Sequence, residues 1–435
     1  MMRTIDLRGR VLTPVELLNA VPRAESARAD ALSVAADVVS DVRSRGEASL
    51  REQAQRFDGV EGHAIRVPRE HIDEAVAALD SAVRGALVEA IRRVRAASAA
   101  QAPQASVTEV SPGGLVRQRW QPVTRAGVYV PGGKAVYPSS VVMNVVSAQV
   151  AGVRDVALAS PPQRDHAGRV HPAILAAAGL LGVDEVYAMG GAGAIGALAY
   201  GVPAIGLDPV DVVTGPGNNY VAAAKRAVAG VVGVDAEAGA TEILIVADDT
   251  ADATYVAVDL VSQAEHDEQA GAVLVTPSAG LAERVAAEVE RAAAATRHRE
   301  RVATALAGPQ SAIVLVDDLA AAEAFSNAYA PEHLELHIAD AADASGRYVN
   351  AGAVFIGDHS PVSLGDYLAG SNHVLPTGGQ ARYAAGLGAH TFLRPQQVVE
   401  YDRAALEGVA AHIDALAEAE QLPAHAEAVR ARFAR

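Results

Sequence analysis

Four short polar segments stand out in an otherwise apolar, alanine-rich chain: Ser262-Gln263-Ala264-Glu265-His266, Ala330-Pro331-Glu332-His333, Gly365-Asp366-Tyr367 and Glu420-Gln421-Leu422-Pro423-Ala424-His425. They offer two histidines, one aspartate and one amide oxygen as metal ligands. They also hold an adjacent Glu-His pair of the kind that moves protons. Hard or borderline divalent ions bind such N/O sets, and zinc is the commonest occupant where imidazole dominates.

Each segment also has a plainer explanation. Gln263 and His266 lie three apart on a predicted helix from Ala251 to Gln269, so they share a face, as two ligands of one ion would. Glu265, Asp267 and Glu268 equally describe an exposed acidic helix end. Glu332 and His333 follow Pro331, which ends any preceding helix. An extended run into Leu334-Glu335-Leu336 would aim the two at opposite faces, as separate proton-transfer roles require, although surface loops carry such pairs by chance. Asp366 and His373 bracket a glycine-rich stretch that could wrap a ligand or form an Asx-type turn. Gly191-x-Gly193-x-x-Gly196 follows a predicted strand and precedes an apolar helix, with Asp208 and Asp211 downstream, which is the context of a dinucleotide fingerprint. Gly215-Pro216-Gly217-Asn218 opens the next helix, whose first amides could hold an anion.

The elements that must position these residues alternate. Ala31, Val34, Ala35, Val38 and Val39, then Ile72, Val76, Leu79, Val83 and Leu87, predict helices over 28–100. From about 125 short apolar runs alternate with helical stretches. Strands are predicted at Gly127–Val130, Val153–Ala159, Glu185–Met189 and Val212–Val213, with helices at Ala173–Leu181 and Val221–Val231. A second series follows, with strands at Glu242–Ala247, Ala272–Thr276, Ser311–Val316 and Ala353–Ile356, and helices at Ala251–Gln269, Leu281–Thr296 and Leu319–Ala328. Strand-helix alternation implies parallel sheets covered on both faces, here in two similar domains. The tail from about 396 reads as helix.

A chain of 435 residues suggests two to four domains. The formal charge of -16 argues against nucleic-acid binding, which needs basic patches. No run of about 18 apolar residues predicts a membrane span, and the first residues lack the apolar core of a signal peptide. Cysteine is absent. That excludes disulfides, thiolate ligands and a cysteine nucleophile, and it fits a cytoplasmic location.

Taken in order, the segments resemble the histidinol dehydrogenase family over nearly the whole chain. The match includes Gly127-Val128-Tyr129-Val130-Pro131-Gly132-Gly133, Gly215-Pro216-Gly217-Asn218, the surroundings of Gln263 and His266, Glu332-His333, Gly365-Asp366-Tyr367 through Pro376-Thr377, and Glu420 to His425. The resemblance implies an α/β fold of two Rossmann-like parallel-sheet domains with small helical N- and C-terminal extensions. The corresponding division is an N-terminal arm (1–27), a helical part of the metal/substrate domain (28–128), an NAD-binding domain (129–240), a metal/substrate domain (241–387) and a C-terminal arm reaching the partner subunit (388–435). It further implies zinc held by Gln263, His266, Asp366 and His425, the last donated across a homodimer with shared active sites. Glu332 and His333 would be the proton-transfer pair. Thr241, His333, Glu420 and the zinc ligands would bind substrate, and Tyr129, Asn218 and the position of Gly193 would bind NAD. The implied activity is the four-electron, NAD-dependent oxidation of L-histidinol to L-histidine through L-histidinaldehyde.

Two departures bear on this expectation. Gly193 stands where the family commonly has a glutamine that contacts NAD, so weaker cofactor binding is expected. The family's Gly-Pro-Ser/Thr-Glu is Gly239-Ala240-Thr241-Glu242, which keeps the hydroxyl and loses the proline. A dehydrogenase of another small diol, such as sulfopropanediol, and a catalytically silent homologue are the alternatives. The Glu420 carboxylate suits a cationic amine and would repel a sulfonate.

Overall fold

The computed structural model describes residues 2–23, 29–132, 136–236 and 239–434. Gly133 of the predicted loop and residues 24–28 at the arm's end lie outside them. In chain order the strands are β1 (Arg3–Asp6), β2 (Ser106–Ser111), β3 (Gly114–Pro122), β4 (Arg125–Tyr129), β5 (Asp155–Ser160), β6 (Val186–Ala188) and β7 (Val212–Thr214). There follow β8 (Gly233–Val234), β9 (Glu242–Ala247), β10 (Gly271–Thr276), β11 (Ala312–Leu315), β12 (His333–His337), β13 (Ala353–Ile356) and β14 (Leu393–Tyr401). The chain divides into two compact units, Met1–Gln101 with Thr124–Phe392, and Ala102–Val123 with Leu393–Arg435.

The first unit contains two parallel sheets. One runs β6-β5-β4-β7-β8 and the other β1-β11-β10-β9-β12-β13. Each begins in the middle, winds one way for three strands, then jumps back over its first strand and winds the other way. Both are therefore doubly wound in the Rossmann order, with β1 added at one edge of the second, and both reverse direction beside their first strand, at β4/β7 and β9/β12. This topological repetition is what two α/β series without sequence similarity foreshadowed.

The apolar runs became strands because both faces of each sheet are covered. β9, Glu242-Ile-Leu-Ile-Val-Ala, is buried at every position. Ile243 and Ile245 pack with Val256 and Leu260 of the helix Ala253–Ala264, while Leu244 and Val246 face Phe325 and Tyr329 on the other side. In the first sheet the helix Ala29–Arg45 packs on the helices Gly191–Tyr200 and Asn219–Val228. A Cβ on Gly196 would lie 3.2 Å from Val39 Cα, so the last glycine of the fingerprint serves close helix packing.

The second unit differs from expectation. Its three strands form an antiparallel sheet, β14-β3-β2, and β14 pairs with β3 along its full length from Leu393 to Tyr401. The tail is thus a nine-residue strand before it becomes the helices Arg403–Ala419 and Pro423–Arg430. Among the described residues no helix is long and apolar enough to cross a membrane.

Candidate active site

The glycine turn at the first switch point is built by its surroundings. Gly215 follows β7 with φ 115°, and a Cβ there would lie 1.9 Å from the Tyr129 carbonyl at the end of β4. Only glycine admits that approach. The Asp235 carboxylate accepts the Gly215 N–H at 2.8 Å and pairs with the buried Lys225 ammonium at 2.6 Å, and Lys225 donates also to the Gly215 carbonyl. Asn218 caps the helix Asn219–Val228, its Oδ1 accepting from Tyr220 N at 3.0 Å and Val221 N at 3.2 Å. Tyr129 is buried, its hydroxyl accepts the Gly191 N–H at 3.2 Å, and burial pushes its pKa up to about 12.

Asp211, downstream of the fingerprint, is engaged away from this turn. The Asp211 carboxylate accepts the N–H groups of Thr124 and Arg125 at 2.7 and 3.0 Å, at the entry of β4, whereas the turn lies at the strand's exit. Gly193 is buried inside its helix, and a Cβ on it would lie 2.0 Å from Gln53 Oε1. The space a side chain would enter is taken by an amide from the helix Glu47–Gln53, and that amide donates to Ser49 Oγ at 2.9 Å.

The second cluster gathers at the amino ends of β9 and β12, the opposite edge from that at which doubly wound sheets usually hold ligands. Thr241 immediately precedes β9, and its hydroxyl donates to Glu332 Oε2 at 2.5 Å. The same carboxylate oxygen accepts the Glu242 N–H at 3.0 Å. Because the Thr241 proton is committed to Glu332, Gln263 must approach with its NH2, and Nε2 donates to Thr241 Oγ1 at 2.7 Å. Gln263 Oε1 is left buried with no hydrogen-bond partner. A buried acceptor without a donor costs roughly 1–3 kcal/mol, and a cation removes that cost.

His266 and Asp366 stand as a second pair, Nε2 to Oδ2 3.8 Å. That exceeds a hydrogen bond and is close to the ~3.4 Å separating two atoms that share one tetrahedral zinc. The residues therefore fit the metal. Their geometry corrects one expectation: the helix ends at Ala264, so His266 lies beyond it in a turn, with its N–H on the Gln263 carbonyl, and the pair does not share a helix face. His373 accounts for the other end of the glycine-rich stretch. Its Nδ1 donates to the Asp366 carbonyl at 2.8 Å and its Nε2 meets Ser140 Oγ at 3.2 Å, which holds the Asp366 backbone.

Glu332 and His333 are both buried, and both anchor on the segment Thr241-Glu242. His333 Nδ1 donates to the Glu242 carbonyl at 3.1 Å, which fixes the tautomer and leaves Nε2 as the free lone pair. Burial lowers the His333 pKa and so keeps the ring neutral; the Asp366 charge opposes this. Burial pushes the Glu332 carboxyl up to about 8 against the pull of Thr241 and the Glu242 N–H. Burial also lowers the His266 pKa, partly offset by Asp366.

Glu420 and His425 belong to the second unit. Glu420 caps the helix Arg403–Ala419, Gln421 takes a left-handed φ of 58°, and Pro423 opens the helix that carries His425. Both residues are exposed on that unit. The structure brings Thr241, Gln263, Glu332 and His333 together by direct contacts, and His266 to Asp366.

Comparison with known proteins gives the family. Residues 21–433 match the family model described as histidinol dehydrogenase. The chain belongs to the histidinol dehydrogenase family. It is 66% identical to the histidinol dehydrogenase of Leifsonia xyli subsp. xyli over 99% of each chain. It is 58% identical to that of Thermobifida fusca over 99% of this chain and 97% of the other. The crystal structure of histidinol dehydrogenase from Elizabethkingia anophelis superposes with a TM-score of 0.92 at 32% identity, covering 99% of this chain and 98% of the other. The chain is thus an NAD-linked, zinc-dependent histidinol dehydrogenase that oxidises L-histidinol to L-histidine. The sulfopropanediol and silent-homologue alternatives are not favoured at such identity.

Residues that sequence reasoning missed include Gln53 and the Lys225–Asp235 pair. It also missed a group of three possible ligands, Asp259, Glu335 and His337, whose ligand atoms lie within 4.8 Å of one another. This group is separate from the expected zinc set. A glutamate and a histidine two apart on a buried strand were the available signal.

Proposed function

We propose that both oxidations of histidinol occur at one site, with His333 as the base in each and Glu332 as the group that activates water between them. The observation that carries this reading is the Nδ1 donation of His333 to the Glu242 carbonyl, which presents a neutral, unprotonated Nε2 in a buried setting. In the first oxidation Nε2 takes the proton of the substrate hydroxyl as the C–H hydride departs. Water then adds to the aldehyde carbonyl while Glu332 removes its proton and His333 returns the proton it took to the carbonyl oxygen, which frees Nε2 again. One hydroxyl of the resulting gem-diol gives its proton to His333 as the second hydride departs, leaving the carboxylic acid. With no cysteine in the chain, hydration is the route open to the second step. Tyr129, the Gly193 segment and Asn218 would hold NAD, which would supply the hydride acceptor for each oxidation. Gln263, His266, Asp366 and His425 would hold the zinc, which would supply a fixed point for the substrate's nitrogen atoms.

We propose further that the enzyme is a cytoplasmic homodimer in which Glu420 and His425 of one copy complete the site of the other. Glu420 binds the substrate's cationic amine and Thr241 lines the pocket. The exposed position of both tail residues on a small separate unit supports this. Inactive His266→Ala and His425→Ala proteins, unfolded and refolded together, test it. A shared site puts both lesions in one site of each mixed dimer and restores part of the activity. No recovery means the tail acts within its own chain.

A further inference from the structure

Glu335 lies on β12 two residues beyond His333, on the same face of the strand, and is fully buried. One of its oxygens accepts the Val362 N–H at 2.8 Å. Val362 begins the short helix Val362–Tyr367, and Asp366 follows it by four residues, one turn along. The other oxygen lies 3.3 Å from His337 Nε2. Asp259 adjoins this carboxyl from the helix Ala253–Ala264, again one turn before Gln263. A single carboxyl group therefore joins the strand that carries His333 to the two helices that carry Gln263 and Asp366. Burial and the neighbouring Glu335 raise the Asp259 pKa, and His337 lies between Glu335 and Asp358, with Nδ1 3.4 Å from Oδ1.

We infer that Glu335 and Asp259 are positioning residues for the zinc site, setting the spacing between Gln263 and Asp366 without touching the metal. The inference rests on the ligand assignment proposed above. Substitution of groups behind metal ligands typically weakens metal affinity about 10–100-fold. Glu335 and Asp259 act through a helix turn, so roughly tenfold is expected.

The test is zinc affinity by chelator competition on the full-length protein, with the visible absorption of the cobalt-substituted form as a geometric readout. Glu335→Leu and Asp259→Asn should each weaken zinc binding and alter the cobalt spectrum, while NAD affinity stays unchanged. Glu335→Gln keeps an oxygen for the Val362 N–H and should recover most of the affinity. Asp259 is only half-buried, so Asp259→Asn reports even where Glu335→Leu does not fold. Unchanged affinity and spectrum in these variants overturn the inference, provided His266→Ala strips the metal. If His266→Ala retains zinc as well, the ligand assignment itself has failed. A second metal equivalent bound by the parent and lost in both variants also overturns it, by making the cluster a metal site in its own right.

Discussion

Thr241→Val probes how much of the zinc site depends on one hydroxyl. The replacement keeps the shape and removes two interactions, the donation to Glu332 Oε2 at 2.5 Å and the acceptance from Gln263 Nε2 at 2.7 Å. The second sets the orientation of the Gln263 amide. Without it, Nε2 is a buried donor with no acceptor, and satisfying it means turning the amide and withdrawing Oε1. That conflict costs about 1–2 kcal/mol, or roughly 5- to 30-fold in zinc affinity. The first interaction holds the Glu332 pKa down, so its loss should also move the pH dependence of aldehyde oxidation toward alkali while leaving histidinol oxidation less affected. Chelator competition measures the affinity, and stopped-flow formation of NADH from histidinaldehyde at several pH values measures the second effect. Zinc affinity within twofold of the parent would refute the argument that Thr241 aims the amide.

Further perturbations are expected to act as follows. Glu332→Gln should impair aldehyde oxidation, and His333→Asn should slow both half-reactions, each by about 10²–10⁴ where general acid-base catalysis is lost. Equal, mild losses in both steps dismiss those roles. Gly193→Gln should destabilise the protein by about 1–3 kcal/mol because its Cβ meets the Gln53 amide, and Gln53→Ala in the same chain should relieve this and lower the Michaelis constant for NAD. Thermal unfolding of the single variant at the parent's temperature contradicts the overlap. Burial raises the Asp58 pKa from 3.8 to about 6, so the folded state favours its protonated form and stability falls as pH rises from about 4 to 6. Asp58→Asn should therefore stabilise at pH 7 by about 1 kcal/mol after discounting for its partial exposure, with no gain at pH 4. A gain independent of pH, read by urea unfolding, removes the electrostatic explanation.

Sequence by itself determined the parts of this enzyme whose physics is local. Buried parallel strands need apolar residues on both faces, so β9 and β10 are legible as uninterrupted runs. Glycines required by a close approach, such as Gly215, mark their turns, and the ordered polar segments carry the family resemblance. The antiparallel strands β2, β3 and β14 were not legible, because Ser106–Ser111 and Leu393–Tyr401 are largely exposed and show no run that a core would demand. Nor could spacing reveal that the helix ends at Ala264, since His266 leaves it in a turn completed by contacts elsewhere in the chain. The pairings that prepare the site join residues far apart in sequence: Thr241 to Glu332, His333 to the Glu242 carbonyl, Asp366 to His373 and then Ser140, Glu335 to Val362. Residue types supply donors and acceptors, but which of them meet, and how deeply water is excluded around them, is fixed only when the second doubly wound sheet pairs β9 with β12 and sets their amino ends side by side. Burial then raises Glu332, lowers His333 and strands the Gln263 oxygen, because desolvation and hydrogen-bond geometry belong to the folded neighbourhood and not to the residue.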